Sequence, residues 1–284
     1  MLLVTGATGY VGRHFLQSLP DEVRRDCLTP SRQELDLTDA ASVQKYFKEH
    51  SVDRVLHLAA VVENKNLPAL LGSNIIGLYY LLKECRASGV RYFAFASGNT
   101  VYGSAGKPPF PETQHCLPDS ENWYSISKYY GELMVADMLP TSLYAIVRIG
   151  DIYGPNQKTG ALLKAVVNNI LNAQPQRLYG QGDRTRDYIY IDDVVDGLRF
   201  ILENSLTGVF NLATGTGTSV REILHIAEKL SNCKEPTIAV AVEKEDHSKI
   251  ILDTEKLRKT GWTAAVSFEE GLRRIIEEMR NTKL

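Results

Sequence analysis

Residues 4–12 read VTGATGYVG, and no other stretch limits the possible folds as tightly. Gly6, Gly9 and Gly12 recur at every third position, directly after an apolar run at residues 1–5. They stand at the head of residues 10–19, whose apolar side chains follow a helical period. Glycine there lets a strand turn sharply into a helix, lets the backbone approach a pyrophosphate, and lets the helix pack close to the sheet. The N–H groups left free at the helix start then face the anion, with Thr8 inside the same turn. Residues 54–57, 92–96 and 143–149 read as further buried strands, and residues 40–50, 68–88 and 125–138 as helices. Strand–helix alternation of this kind predicts an α/β doubly wound parallel sheet with helices on both faces. Beyond Gly154-Pro155 the pattern loosens. Residues 186–191 and 208–212 read as strands there, and 219–230 and 267–279 as helices, giving a smaller α/β lobe.

Bulk properties exclude several classes of function. Charged residues make up 23% of the 284 positions and the formal net charge is −2 with both signs interspersed, which leaves no basic stripe for nucleic acid or anionic lipid. Cys27, Cys85, Cys116 and Cys233 are far apart with no CxxC pair, so neither a zinc site nor a disulfide framework is expected. The start of the chain lacks a basic n-region, and no apolar run approaches the roughly 18–20 residues of a membrane span. A cytoplasmic location is expected. His57 sits on a buried strand and reads as a core residue, while His247 lies in a charged stretch and reads as solvated. No metal site is expected.

The second strand runs CLTPSRQ and ends in Ser31-Arg32, with no acid to hold a ribose diol. An arginine there suits a 2′-phosphate, so NADP is expected in preference to NAD; the plainer alternative is a solvated Arg32 at a strand end. Asp36 and Leu37 are placed to line an adenine pocket, although Asp36 also has the chemistry to cap the helix near residue 40. WYSISK (residues 123–128) sets Tyr124 and Lys128 four apart, on one face of a helix. A phenol is a poor acid–base near neutrality, and an adjacent ammonium favours its ionised form. Such a pair exchanges a proton with a sugar or alcohol hydroxyl while a nicotinamide exchanges the hydride.

The segments TGATGYVG, DLTD (36–39), HLAA (57–60), SNIIG (73–77), SGNTVYG (97–103), YSISK (124–128), RIGDIYGP (148–155), LYGQGDRTRDYIYIDD (178–193), FNLATG (210–215) and GW (261–262) follow one another along nearly the whole chain. In that order they resemble the extended short-chain dehydrogenase/reductase family of nucleotide-sugar epimerases, dehydratases and keto-sugar reductases. The resemblance implies a Rossmann-type cofactor domain over residues 1–155, to which the chain returns around 187–213, and a substrate lobe over 156–284. It implies that Tyr124 is the acid–base and that Lys128 tunes it and holds the nicotinamide ribose. Gly6, Gly9, Tyr10, Val11 and Gly12 would receive the pyrophosphate, and Leu58, Ala59 and Ala60 would wall the cofactor, with Ile149 on the same side. Asn74 would brace the site, Arg186 would clamp the substrate diphosphate, and Tyr179 would lie near the nucleobase. Residues 68–88 and 125–138 match the family's usual homodimer surface.

Three departures all fall on the substrate side. The serine or threonine expected four residues before the tyrosine of VYG is Gly98. Thr100 shares its strand parity, whereas Ser97 points to the other face unless the chain bends; both are candidates for the missing hydroxyl, beside Asn99 as a substrate contact. The asparagine usual after the fifth strand is Asp151. The late arginine that contacts the diphosphate is missing from VEKEDHSKIILD (242–253), where Lys244 and Lys249 are the available cations. No Asp-Glu pair follows Gly98, which argues against dehydration. A 4-epimerase and a 4-keto-reductase stand level, with SRQELDLTD closer to the reductases. The rival readings are an enzyme of this type acting on a non-nucleotide substrate and a dinucleotide-binding regulator without turnover.

Overall fold

Strand β5 (Tyr144–Ile149) is buried at all of its positions, and β4 (Tyr92–Gly98) at all but its last, so both run through the middle of a covered sheet. A computed structural model describes residues 1–63, 66–140, 143–157 and 160–282. In it β1 (Leu2–Thr5), β2 (Cys27–Leu28), β3 (Arg54–His57), β4, β5 and the strand Gly208–Leu212 form one parallel sheet. Its order is Gly208–Leu212, β5, β4, β3, β1, β2. The chain leaves β1 toward β2 and then returns to the opposite side for β3. A crevice therefore opens beyond the carboxyl ends of β1 and β3, where ligands bind in sheets of this kind.

Alternate residues of these strands feed two cores. Val4, Leu56, Ala94 and Val147 face a core that continues through Tyr153, Ile189 and Leu224 to Ile276, while Leu3, Val55, Phe95 and Ile146 face the helix Leu78–Ala87. After residue 150 the other described strands are short and form three small sheets. Asp151–Tyr153 pairs with Tyr188–Tyr190, Arg177–Tyr179 with Ile238–Val240, and Thr185–Arg186 with both Thr218–Ser219 and Lys249–Ile250.

Two expected elements are broken. The helix expected over 68–88 is divided into Leu67–Leu71, a π-helical turn Gly72–Gly77, and Leu78–Ala87. The turn carries Asn74, whose carboxamide is engaged by neighbouring segments as described below. The strand expected over 186–191 is split at Asp187, which is fully buried. Its carboxylate accepts from Thr214 N (3.0 Å), Thr214 Oγ1 (2.6 Å), Gly215 N (3.0 Å) and Leu252 N (3.3 Å), so an inward acid ties three segments together where apolar alternation suggested one strand. Among the described residues, no helix is long and apolar enough to cross a membrane.

Candidate active site

The glycine turn meets steric limits that only glycine satisfies at two of its positions. Gly6 has φ +72°, and a Cβ there would lie 2.6 Å from Ala59 N; at Gly12 it would lie 2.3 Å from Gly6 O. The helix Tyr10–Ser18 begins from Gly9 with no side-chain cap, which leaves the N–H groups of its first turn, including those of Val11 and Gly12, for an anion. Tyr10 joins this turn through its backbone. Its buried phenol lies where a Cβ on Gly154 would come within 2.4 Å of the hydroxyl oxygen.

A cleft of about 660 Å³ opens above this turn. Gly6, Thr8 and Gly9 form its floor, Ser31, Arg32, Asp36 and Leu37 one wall, and Leu58, Ala59 and Ala60 the other. Floor and walls fit a dinucleotide: an uncapped helix start, a backbone approachable only because Gly6 and Gly12 lack side chains, and length enough to run from the turn to β2. Asp36 does not cap the next helix. Asp39 does so, accepting from Ala41 N at 2.9 Å. Asp36 Oδ1 instead accepts from Thr38 Oγ1 (2.7 Å) and Thr38 N (2.9 Å), bonds that hold its carboxyl below the usual carboxylate range. The Arg32 guanidinium is largely exposed at the rim, its Nε 3.5 Å from Asp36 Oδ2. Ile149 is buried at the end of β5, in register with Gly98 and Leu212, and lies outside the cleft wall.

Tyr124 and Lys128 come from the helix Trp123–Met138, which begins two residues before the expected start because Asn122 caps it through Ser125 N at 3.1 Å. Lys128 is buried, and its Nζ donates to Ala96 O at 2.7 Å, two residues before Gly98. The same Nζ lies 4.9 Å from the Phe95 ring centre and 5.8 Å from that of Tyr124. Burial brings Lys128 down to about 8, with Glu132 opposing, and pushes the phenol of Tyr124 up to about 12. The resting phenol is therefore protonated. Asn74 braces the helix: its Oδ1 accepts from Val61 N (2.8 Å), and its Nδ2 donates to Val61 O (2.8 Å) and Ser127 Oγ (3.0 Å). His57 is a core residue as expected, with Nδ1 2.8 Å from Thr5 Oγ1. Burial, helped by Lys128, brings it down to about 3.

The two hydroxyl candidates at the tip of β4 part company. Ser97 is turned away from the site, contrary to its place among the catalytic candidates, and donates to Glu132 Oε1 at 2.5 Å. Glu132 is held by Arg148 (Nη2–Oε2 2.7 Å), Arg148 Nη1 donates to the Tyr102 hydroxyl (3.0 Å), and that hydroxyl donates to Asn211 Oδ1 (2.8 Å). Strand alternation sends Ser97 into this buried network. Gly98 has φ −142° and ψ 160°, ordinary extended backbone. A Cβ built there would have a single neighbour within 4 Å, Thr100 Oγ1 at 3.8 Å. That hydroxyl is buried with no hydrogen-bond partner among the described residues, beside the space a serine at 98 would fill.

Beyond the tip, Asn99 Nδ2 donates to Asp151 Oδ2 at 2.8 Å. Burial raises the Asp151 carboxyl against the pull of Asn99, Arg186 and Arg184. Arg186 pairs with neither Asp187 nor Asp192; it donates to Ser248 Oγ (2.9 Å), Thr185 O (2.9 Å) and Ser248 O (3.0 Å). Tyr179 is exposed on the rim of a second cavity of about 620 Å³, which Arg184 and Lys244 also line. Lys249 is exposed on the strand beside Thr185. His247 is not merely solvated. It lies 3.2 Å from Asp183 and 3.6 Å from Glu245, a surface group with the donor types of a metal site. Glu132 and Arg184 escaped the sequence reading, and Asp187 entered it only, with Asp192, as the alternative ion-pair partner of Arg186; Glu132, one helical turn after Lys128, had a local signal.

A family model described as the NAD dependent epimerase/dehydratase family matches residues 2–213. A putative UDP-glucose 4-epimerase of Methanocaldococcus jannaschii is 28% identical, with 99% of each chain covered, and the UDP-glucose 4-epimerase of Mus musculus is 30% identical over 98% of this chain and 95% of its own. Among solved structures, the UDP-glucose 4-epimerase of Thermotoga maritima with UDP-glucose superposes with a TM-score of 0.83 at 28% identity, covering 100% of this chain and 99% of the other. That of Thermus thermophilus in complex with NAD superposes at 0.79 and 27% identity, with 98% of each chain covered.

Proposed function

The chain belongs to the NAD-dependent epimerase/dehydratase family of extended short-chain dehydrogenase/reductases, and from that premise we propose an enzyme that epimerises or reduces a nucleotide-linked sugar at a carbon presented to Tyr124. The observation that carries this reading is the buried Lys128, anchored to Ala96 O directly below the β4 tip and one helical turn from Tyr124. A dinucleotide bound in the cleft supplies hydride exchange. Gly6, Thr8, Gly9, Tyr10, Val11 and Gly12 receive its pyrophosphate through backbone N–H groups, Ser31, Arg32, Asp36 and Leu37 receive the adenosine end, and Leu58, Ala59 and Ala60 flank the remainder. Tyr124 passes a proton to or from the sugar oxygen. Lys128 supplies positive charge that eases ionisation of the phenol. Thr100 takes the part of the hydroxyl absent at Gly98, since its Oγ1 is buried, has no partner among the described residues and lies beside the space that Gly98 leaves.

On the substrate side, Asn99 and Asp151 meet the sugar, Arg186 the diphosphate and Tyr179 the base, within a lobe over 156–284. The Asp151 carboxylate favours one alternative, a substrate with no phosphate beside it, because an anion there is repelled unless cations intervene. The related Thermus enzyme is in complex with NAD. For this chain the exposed Arg32 on the cleft wall supports NADP, and NAD is the other possibility. The exposed Tyr79, Tyr130 and Leu133 on the helices Leu78–Ala87 and Trp123–Met138 support a homodimer through those helices, in a cytoplasmic enzyme.

The test is turnover of UDP-, dTDP-, GDP- and CDP-sugars with each dinucleotide, for the wild type and for Tyr124→Phe. Loss of roughly 10²–10⁴-fold in kcat is expected for the variant, the usual worth of a general acid–base. Equal turnover by both proteins removes the mechanism, and a wild type inert toward every sugar while it binds dinucleotide supports the regulator instead.

A further inference from the structure

We propose that Glu132 is a positioning residue for the Tyr124–Lys128 pair, a fixed counter-charge that holds the Lys128 ammonium in its buried place. This rests on the proton-transfer reading above. Glu132 stands one helical turn beyond Lys128, as Lys128 stands one turn beyond Tyr124, so the three follow one face of the helix Trp123–Met138. Consecutive residues of β4 grip that face. Ala96 O accepts from Lys128 Nζ at 2.7 Å, and Ser97 Oγ donates to Glu132 Oε1 at 2.5 Å. On β5, Arg148 lies in register with Ser97 and completes the grip. Its Nε donates to both carboxylate oxygens at 3.1 Å, and its Nη2 donates to Oε2 at 2.7 Å. The guanidinium is itself held, Nη1 donating to the Tyr102 hydroxyl (3.0 Å) and to Glu112 O (3.1 Å). The carboxylate is therefore fixed by the same strand that anchors the lysine.

The surroundings of Lys128 leave this role to Glu132. The ammonium has one carbonyl and two aromatic rings about it. The titratable groups that bear on it are Tyr124 and Glu132 from its own helix and His57 from β3, with Arg148 of β5 beyond Glu132. Burial keeps Tyr124, at about 12, a neutral phenol and His57, at about 3, a neutral imidazole. Tyr102 and Cys116, which bear on Arg148, are pushed up by burial to about 12 and about 11 and are neutral likewise. Among these described groups Glu132 is the one anion, and its charge opposes the burial that brings Lys128 down to about 8. A buried ion pair is often matched in stability by apolar side chains of similar volume. Folding alone is thus a weak reason for the Glu132–Arg148 pair. An anion held in place near the ammonium that serves Tyr124 is a stronger one.

The test uses two charge-free forms of the pair, Glu132→Gln with Arg148→Met and Glu132→Met with Arg148→Met, so that neither strands a buried charge. Glu132→Asp is the conservative variant. Without substrate, urea unfolding is followed over a pH series for each protein and for its Lys128→Met derivative. Burial holds Lys128 below its unfolded value, so stability relative to that derivative rises once pH passes the folded value. The rise should begin near pH 8 in the wild type. In the charge-free forms it should begin about one pH unit lower, the usual effect of losing a nearby opposite charge. With substrate, a neutral Lys128 no longer eases ionisation of the phenol, so the alkaline fall of kcat should move down by the same amount. KM should stay within about threefold, and Glu132→Asp should keep both wild-type positions. A merely structural pair lowers stability and kcat equally at every pH. That outcome in a charge-free form that folds overturns the assignment, as does a Glu132→Asp profile displaced like theirs. A wild type inert toward every nucleotide sugar removes the reaction reading instead, and the urea series, which needs no substrate, still decides whether Glu132 governs Lys128.

Discussion

The cleft over the glycine turn and the cavity around Arg184 are of similar size, about 660 and 620 Å³, yet they are built from different materials. Main chain and small residues wall the first: Gly6, Gly9, Ala59 and Ala60 fix its shape, and the donors at its uncapped helix start are backbone N–H groups. Long side chains wall the second, among them Arg177, Tyr179, Arg184 and Lys244, and its charges already neutralise one another in pairs such as Arg184–Asp246. A backbone site changes only if the fold changes. A side-chain site is re-aimed by single substitutions.

Four measurements would break or sharpen this contrast. The largest effect is expected between the two regions, where Glu132 and Arg148 are both buried and share three hydrogen bonds. Arg148→Met strands the Glu132 charge and should lower unfolding free energy by about 3–5 kcal/mol in urea titrations; a loss below about 1 kcal/mol would mean that water reaches the pair. Next, Thr100→Val should lower kcat by roughly 10- to 100-fold, the worth of a bond to a charged or reacting oxygen. Ser97→Ala should leave kcat within about twofold while lowering the melting temperature, since its hydroxyl serves Glu132. The reverse pattern would return Ser97 to the site.

The third measurement is a pH dependence. Burial places Lys128 at about 8 in the folded chain, below its ordinary value, so the unfolded chain binds that proton more tightly. The cost of burying the ammonium is present in full below pH 8 and is relieved as pH rises from about 8 toward the unfolded value. Wild-type stability should therefore gain on that of Lys128→Met across that window, and parallel curves would show that the amine titrates as if exposed. The smallest effect is expected on the backbone-built side. Arg32→Ala should weaken NADPH by roughly tenfold, the lower end for a charge-assisted contact at an exposed site, and leave NADH unchanged; equal losses would remove the 2′-phosphate contact.

The same division decides what the sequence could disclose. Gly6, Gly12, Tyr124 and Lys128 act through spacing along one turn or one helix, and spacing is visible in a string of letters. The parallel sheet was readable for the same reason, because burial on both faces leaves unbroken apolar runs such as YAIVRI. Ser97 meets Glu132 across 35 residues and Asp187 meets Leu252 across 65, and nothing local marks those partners. Asp187 also hides within an apparent strand, since one inward acid does not disturb the pattern of its apolar neighbours. The π-helical turn at Gly72–Gly77 was hidden likewise: it carries Asn74, whose partners Val61 and Ser127 lie outside the turn.

Gly98 has a further consequence, in the unfolded chain. Its backbone is one that any residue adopts, and nothing crowds the position, so an alanine there would cost the folded state no strain. Glycine leaves the denatured ensemble with more conformations than alanine does, a difference of about 0.4–1 kcal/mol in stability. The protein forgoes that stability at the centre of its sheet edge. Its reward is free volume beside the Thr100 hydroxyl, left by the missing side chain, and the accompanying cost is a more disordered denatured state.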